Sequence, residues 1–235
     1  ENGRDTIITI WVNPTPRRFG EFPDTIFCNK DTAVVLVSDG LGFVYGVKEY
    51  VVTAEFNSAE LEIISREDGV PDTLAAGVGI TDIYINHSQE SQYVEYTFSP
   101  RIRDTRSGHD GEFCFDGDIT IPVWIHPTPE ILVNVPDTII CDSSFVAINV
   151  FNSHGDIEGG SLVYELDVSY DGGAVTGSIT APGEWDPDHS ISDQLINLSP
   201  TVQVVVYHFS ARVRDDRPGH IGSFCDNGSD TTIYI

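Results

Sequence analysis

The sequence predicts an all-β protein built as two tandem sandwich domains, and three observations lead there. The first is repetition. VNPTPRRFGEFPDTIFC (Val12 to Cys28) returns as IHPTPEILVNVPDTIIC (Ile125 to Cys141), and YVEYTFSPRIRDTRSGHDGEFC (Tyr93 to Cys114) returns as VVVYHFSARVRDDRPGHIGSFC (Val204 to Cys225). A catalytic motif seldom needs a second copy, whereas a building block does. The second is composition along the chain: runs of Val, Ile, Thr, Tyr and Phe are separated by Gly, Pro, Asn and Asp. No window sustains helical apolar spacing. The third is alternation. In Val202–Arg214 one side carries Val205, Tyr207, Phe209, Ala211 and Val213, and the other carries His208, Ser210, Arg212 and Arg214. Short strands with turn signals between them imply a β-sandwich.

Taken in order, residues 1–13 resemble the stretch after Cys225: ENGRDTIITI beside DNGSDTTIYI. They are expected to be the terminal strand of a preceding repeat, or a strand lent to the first domain. The chain then reads as a segment of a longer array. Repeat 1 runs over 14–126 and repeat 2 over 127–235, each of ordinary domain size. Each opens on N-P-T-P or H-P-T-P. The two prolines fix φ and bias Asn13, Thr15, His126 and Thr128 toward extended backbone, a short stiff connector rather than a tether. Trp11 and Trp124 precede these prolines and are expected at the module interface; a sugar-stacking platform is the alternative. KEYVVTAEF (Lys48 to Phe56) aligns with LVYELDVSY (Leu162 to Tyr170), Tyr50 facing Tyr164. Insertions fall in the middle of each repeat, as for loops of one folded module. In the strand Tyr93–Arg103, Val94, Tyr96, Phe98 and Pro100 share one side.

Composition narrows the function classes. A net charge of −25 and a pI near 4.2 argue against nucleic acid and anionic lipid as partners. No apolar run approaches a membrane span. Half of the 12 Lys and Arg sit in R-I-R-D-T-R and R-V-R-D-D-R. Arg101 and Arg103 share a strand side, as do Arg212 and Arg214. They are expected to neutralise carboxylates in their own sheet or at a domain junction, with an acidic sugar or carboxylate ligand as the sharper alternative. Repeat 2 holds no Lys, which excludes Lys–Asn isopeptide cross-links there.

Cys28, Cys114, Cys141 and Cys225 are nearly equally spaced within the two repeats. Pairing within each repeat uses all four; pairing Cys114 with Cys141 leaves Cys28 and Cys225 to other partners. Equal spacing favours two intradomain bridges and an oxidising, extracytoplasmic setting. Zinc is not expected, since no C-x-x-C pair occurs.

Site chemistry is sparse. His109 and His220 occupy matching positions in R-D-x-R-x-G-H, read as a structured turn rather than a metal or catalytic site. No nucleophile elbow, phosphate loop or H-E-x-x-H pattern occurs, so no enzyme is expected. D-G-D (Asp116 to Asp118) and D-P-D (Asp186 to Asp188) offer calcium-type oxygens, but neither begins a complete twelve-residue loop, so turns are the reading and no cofactor is expected, with calcium at a junction as the alternative. N-x-S occurs at Asn86, Asn197 and Asn227, and Thr6, Thr25, Thr32, Thr73, Thr138 and Thr231 follow Asp. All are candidate glycan carriers.

W-V-N-P-T-P, P-D-T-I-x-C and S-D-Q-L-I-N-L-S-P-T-V-Q-V-V-V-Y (Ser192 to Tyr207) resemble the PKD-like repeats of large Bacteroidetes surface proteins. That resemblance covers both repeats. It implies immunoglobulin-like sandwiches, secretion to the cell surface, O-glycosylation at such Asp-Thr sites, and work in adhesion or as a spacer. The expected function is a structural segment of an extracellular adhesin or stalk, with neighbouring repeats as partners. The alternatives are a segment of a multi-chain fibre of parallel copies, or a carbohydrate-binding module.

Overall fold

Runs of β-branched and aromatic residues form strands throughout, and the described residues contain no α-helix. The computed structural model describes residues 6–16, 25–37, 40–65, 73–109, 111, 113–170, 173–179, 181–220, 222 and 224–235. The chain divides into two compact units. Unit 1 comprises Glu1–Phe27, Asp31–Tyr84 and Tyr93–Val123; unit 2 comprises Cys28–Lys30, Ile85–Gln92 and Trp124–Ile235. This differs from a boundary at 126/127, because two segments of repeat 1 are hydrogen-bonded into the fold of repeat 2.

The first half of the chain carries β1 (Ile26–Phe27), β2 (Thr32–Val35), β3 (Val47–Phe56), β4 (Leu61–Ile63), β5 (Thr73–Ala75), β6 (Ile80–Asn86), β7 (Gln92–Arg103), β8 (Phe113–Phe115) and β9 (Ile119–Ile125). One sheet has the order β1-β9-β7-β3-β5 with β8 also on β7; a smaller one has the order β2-β6-β4. The long pair β3–β7 is antiparallel, with Tyr50 opposite Pro100 and Glu49 opposite Arg101. Val94, Tyr96, Phe98 and Ile102 are buried with Tyr50, Val52, Ile80 and Tyr84, as the period-2 pattern requires.

The second half carries β10 (Ile131–Asn134), β11 (Phe145–Asn152), β12 (Gly160–Tyr170), β13 (Val175–Thr176), β14 (Gly183–Trp185), β15 (His189–Gln194), β16 (Ile196–Asn197), β17 (Val205–Asp215), β18 (Phe224–Cys225) and β19 (Asp230–Tyr234). The sheet β10-β11-β15 faces the sheet β14-β12-β17, to which β18 and β19 add on β17. The chain crosses between sheets from β11 to β12 and again from β15 to β17. That is the immunoglobulin-like arrangement. One core joins the two layers: Val146, Ile148 and Val150 from β11 pack with Tyr164 and Leu166 from β12 and Tyr207, Phe209 and Val213 from β17. Each such side chain contributes about 1.5–3 kcal/mol on leaving water, so this seam dominates the stability of the unit.

Residues 6–16 form no strand. β9 occupies the late-strand position beside β7. Asn13 instead clips to Tyr45: its Nδ2 donates to the Tyr45 carbonyl and its Oδ1 accepts from the Tyr45 N–H, both at 2.8 Å.

Candidate functional site

The feature with the most built-in geometry is the loop Asn86–Gln92 and what holds it within unit 2. Asn86 sits at the end of β6 and is 3% exposed. Its Oδ1 accepts from the N–H and hydroxyl of Ser88 at 3.0 and 2.7 Å, closing the turn. Its Nδ2 donates to the carbonyls of Glu90 (2.7 Å) and Ile125 (2.9 Å). Asn29 answers from the segment after Cys28: it accepts the Asn86 N–H and donates to the Asn86 carbonyl, each at 2.9 Å, and donates to the Thr128 hydroxyl at 2.7 Å. Asn227 donates to the Asn29 carbonyl.

Repeat 2 closes over this loop. The Gly155 N–H donates to the Gln89 carbonyl and the Ser91 N–H to the Asp156 carbonyl, both at 2.9 Å. The Ser91 hydroxyl accepts from the Glu158 N–H at 3.0 Å and lies 2.9 Å from His126 Nδ1. Any side chain at Gly155 would collide with Glu90, a Cβ there falling 2.4 Å from its Oε1. His154 braces the same corner, its Nε2 3.0 Å from the Thr128 carbonyl. Burial holds its pKa below the ordinary histidine value, against the opposing pull of that carbonyl.

The N-x-S pattern at Asn86 is therefore a loop-building device. With its amide buried and both amide hydrogens engaged, Asn86 is removed from the candidate glycan carriers. Asn197 repeats the loop bond for bond: Ser199 donates twice to its Oδ1, its Nδ2 donates to the Thr201 carbonyl, and its N–H donates to Asp142. It is only half-buried. Thr6, Thr32, Thr73 and Thr138 are exposed, and Thr25 and Thr231 are half-buried.

The cysteines correct the expected pairing. Cys28 is bonded to Cys225, with Cα atoms 5.4 Å apart, and Cys114 and Cys141 are exposed thiols. Neither Cys28–Cys114 nor Cys141–Cys225 forms. Equal spacing along the sequence misled, because residues 28–30 leave their own repeat and fold with the next one. The bridge thus joins the start of repeat 1 to the end of repeat 2.

The arginine pairs are held by carboxylates. Arg101 and Arg103 both bind Glu49, at 2.7 and 3.2 Å, and the Glu49 side chain is only 8% exposed. In repeat 2 the residue opposite Arg212 is Val163, so Arg212 turns to Glu165 and Arg214 to Glu184 and Asp216, each at 2.7 Å. These two carboxylates raise the Arg214 pKa, and Arg214 in turn lowers that of Asp216. The third arginine of each motif folds back on its own turn: Arg106 chelates Asp104 and Arg217 chelates Asp215. Arg106 brings the Asp104 pKa down to about 2, and Arg217 lowers that of Asp215. The N–H groups of His109 and His220 close the turn onto Arg106 and Arg217.

Asp118 accepts from the Ser99 hydroxyl and Asp188 from the Asn152 N–H, each a bond to a segment distant along the chain. No metal-type cluster of three or more His, Cys, Asp or Glu occurs among the described residues. Trp11 is 66% exposed, its ring 4.7 Å from that of Tyr45; Trp124 is half-buried.

One element escaped the sequence reading. Each repeat buries an aspartate completely, Asp82 and Asp193. The Tyr96 hydroxyl donates to Asp82 at 3.0 Å and the Tyr207 hydroxyl to Asp193 at 2.7 Å. Ser65 and Ser178 donate from the opposite side. The signal was available: T-D-I and S-D-Q interrupt apolar alternation at matching positions before the aromatic strand.

No known protein family matches the chain, and no curated protein matches it. Among solved structures it is similar to the D00-D0 domain of intimin (TM-score 0.37, 11% identity, covering 92% of this chain and 97% of that one). It is also similar to the Yersinia pseudotuberculosis adhesin InvE (TM-score 0.28, 12% identity, 91% and 57% covered). Likeness at this level says nothing of function.

Proposed function

We propose that the chain is a structural segment of a long extracellular adhesin or stalk, of the PKD-like kind its motifs resemble, spacing and stiffening the protein at a cell surface. One observation carries this reading: unit 2 is knitted from both sequence repeats, through the Asn86–Gln92 loop and the Cys28–Cys225 bridge. A repeat that donates a loop and a cysteine to the next repeat is held to it more stiffly than by a flexible linker. A persistent disulfide fits an oxidising compartment, and a charge of −25 discourages collapse of neighbouring segments onto one another. The reading assigns no catalytic role.

Pulling single chains by their ends tests it. With the bridge intact, the stretch between Cys28 and Cys225 is shielded, and the chain lengthens little before rupture. Reduction exposes a sequence separation of 197 residues, releasing on the order of 70 nm at about 3.5 Å per residue. An oxidised chain that extends at low force by that same length would sink the reading. So would saturable binding in a screen against glycans, which would turn it toward a carbohydrate-binding module.

A further inference from the structure

The two Asn loops are alike in their own bonds and unlike in what covers them. Asn29 and Asn86 are 2% and 3% exposed, whereas their counterparts Asp142 and Asn197 are exposed and half-buried. Where Gly155 and Asp156 close over Gln89 and Ser91, the matching Pro200 and Val202 border an open groove of about 620 Å³. Its floor is Val175, Leu195 and Val205, and Cys141 and Ile139 stand on its wall. Ile139 and Val202, which line it, are 85% and 93% exposed, and Leu198, between the lining residues Asn197 and Ser199, is 67% exposed. Apolar side chains so placed lack the cover that the first loop has.

We propose that this groove is a socket for the first repeat of a second copy of this chain, locked by a disulfide from Cys141 to Cys114 of that copy. The inference rests on the reading of the chain as a structural segment and names the partner that segment takes. The pairing rule is already present: the first cysteine of one repeat, Cys28, bonds the last cysteine of the next, Cys225. Applied once more, Cys141 takes the last cysteine of the repeat that follows it. In a second copy that is Cys114, which is an exposed thiol.

The occupant's surface fits. At the entry to repeat 1, Trp11 and Val12 are 66% and 88% exposed, and Phe43 within it is 79% exposed; the rings of Trp11 and Phe43 pack on Tyr45 at 4.7 and 5.0 Å. By the repeat alignment, these residues correspond to the Trp124–His126 corner and the segment that closes over the Asn86 loop in unit 2. There the contact is polar, Ser91 against His126; at the open loop Leu198 and Val202 replace His87 and Ser91, matching an apolar plug. The polar clasps carry over too. Asn197 would donate to the Val12 carbonyl of the second copy as Asn86 does to Ile125, and the Thr15 hydroxyl would donate to Asp142 as Thr128 lies against Asn29.

Closing the lock joins two thiols into one S–S bond. Two protons and two electrons pass by thiol–disulfide exchange to a small-molecule disulfide such as oxidised glutathione, which leaves as two thiols.

The test is a single polypeptide in which residues 11–235 follow Ile235 directly, since 6–10 and 231–235 are the same repeat position. After oxidation with glutathione, peptide mapping should find Cys28–Cys225 in both copies. It should also find Cys141 of the first copy bonded to Cys114 of the second. Cys141 of the first copy remaining alkylatable while both Cys28–Cys225 bridges are present overturns the proposal. So does its pairing with Cys114 of its own copy. Absence of the Cys28–Cys225 bridges themselves would instead remove the basis of the proposed function. Leu198→Asp with Val202→Asp in the first copy should slow the cross-copy bridge at least tenfold with Cys28–Cys225 intact. An unchanged rate overturns the socket.

Discussion

The Tyr207 hydroxyl donates to the Asp193 carboxylate at 2.7 Å inside unit 2, and neither residue has measurable exposure to solvent. Tyr96 and Asp82 repeat the pair in the other half of the chain. A buried carboxylate is tolerated only when its oxygens are satisfied. Here Tyr170, Tyr207 and Ser178 satisfy them. Tyr207→Phe keeps the shape and removes one donor, so it should destabilise unit 2 by about 1.5–3 kcal/mol, the range for a hydrogen bond to a charged group. Urea denaturation would read this, and a loss below about 0.5 kcal/mol would show that the remaining donors suffice.

These tyrosines set an alkaline limit. Burial, above all, raises the pKa of Tyr96, Tyr170 and Tyr207 beyond the ordinary range and that of Tyr164 to about 12. Since the unfolded chain ionises first, their contribution is complete below pH ~10 and is lost as pH rises above it. In spectrophotometric titration these four should ionise only as the fold melts.

His154 sets an acid limit at the loop junction. Its pKa is lowered, chiefly by burial and against the partial opposition of the Thr128 carbonyl and then Glu130. The unfolded state therefore binds the proton more readily. Stability is present above pH ~6.5 and falls as pH drops through the lower folded value. Amide exchange at Ser91 and Gly155 should accelerate as pH falls below about 6.5, after correction for intrinsic rates, and His154→Gln should flatten that dependence.

Glu49→Gln should weaken unit 1 by about 1–3 kcal/mol, reduced from the value for a fully buried pair because Arg103 is 41% exposed. Glu165→Gln in unit 2, where both partners are a third or more exposed, should change stability by under about 1 kcal/mol. Equal effects in thermal melts would contradict the assignment of Glu49 as the shared anchor.

Asn86→Ala strips the loop of its turn closure and two buried donors. It should cost about 1–3 kcal/mol, clearly more than Asn197→Ala in the open loop. Mass spectrometry of the protein isolated from its native cells should find no glycan on Asn86.

The bridge offers a direct check. In a dilute preparation of the single chain without added oxidant, peptide mapping should return Cys28 joined to Cys225, with Cys114 and Cys141 bonded neither to these nor to each other. Loss of a link closing so long a loop costs about 5 kcal/mol on chain-entropy grounds. Cys225→Ser should therefore lower the melting temperature of unit 2 well beyond any effect of Cys114→Ser.

Strand identity and facing were legible because alternation depends only on neighbours along the chain. Val205, Tyr207, Phe209, Ala211 and Val213 could be assigned to one buried face before any coordinates, and they occupy it. The duplication was legible for the same reason, and so was the all-β class. What lay beyond the sequence was partnership between distant segments. Spacing put Cys28 with Cys114; the fold put it with Cys225, because Asn29 must reach Asn86 and Thr128 and carries Cys28 along. Asn86 looked like a glycan acceptor, and only its burial among carbonyl groups shows it as the pin of a loop. A sequence reports which side chains are present and in what order. Which of them meet is decided by the closing of two sheets over a core, where burial and hydrogen-bond demand select among pairings that spacing leaves equal.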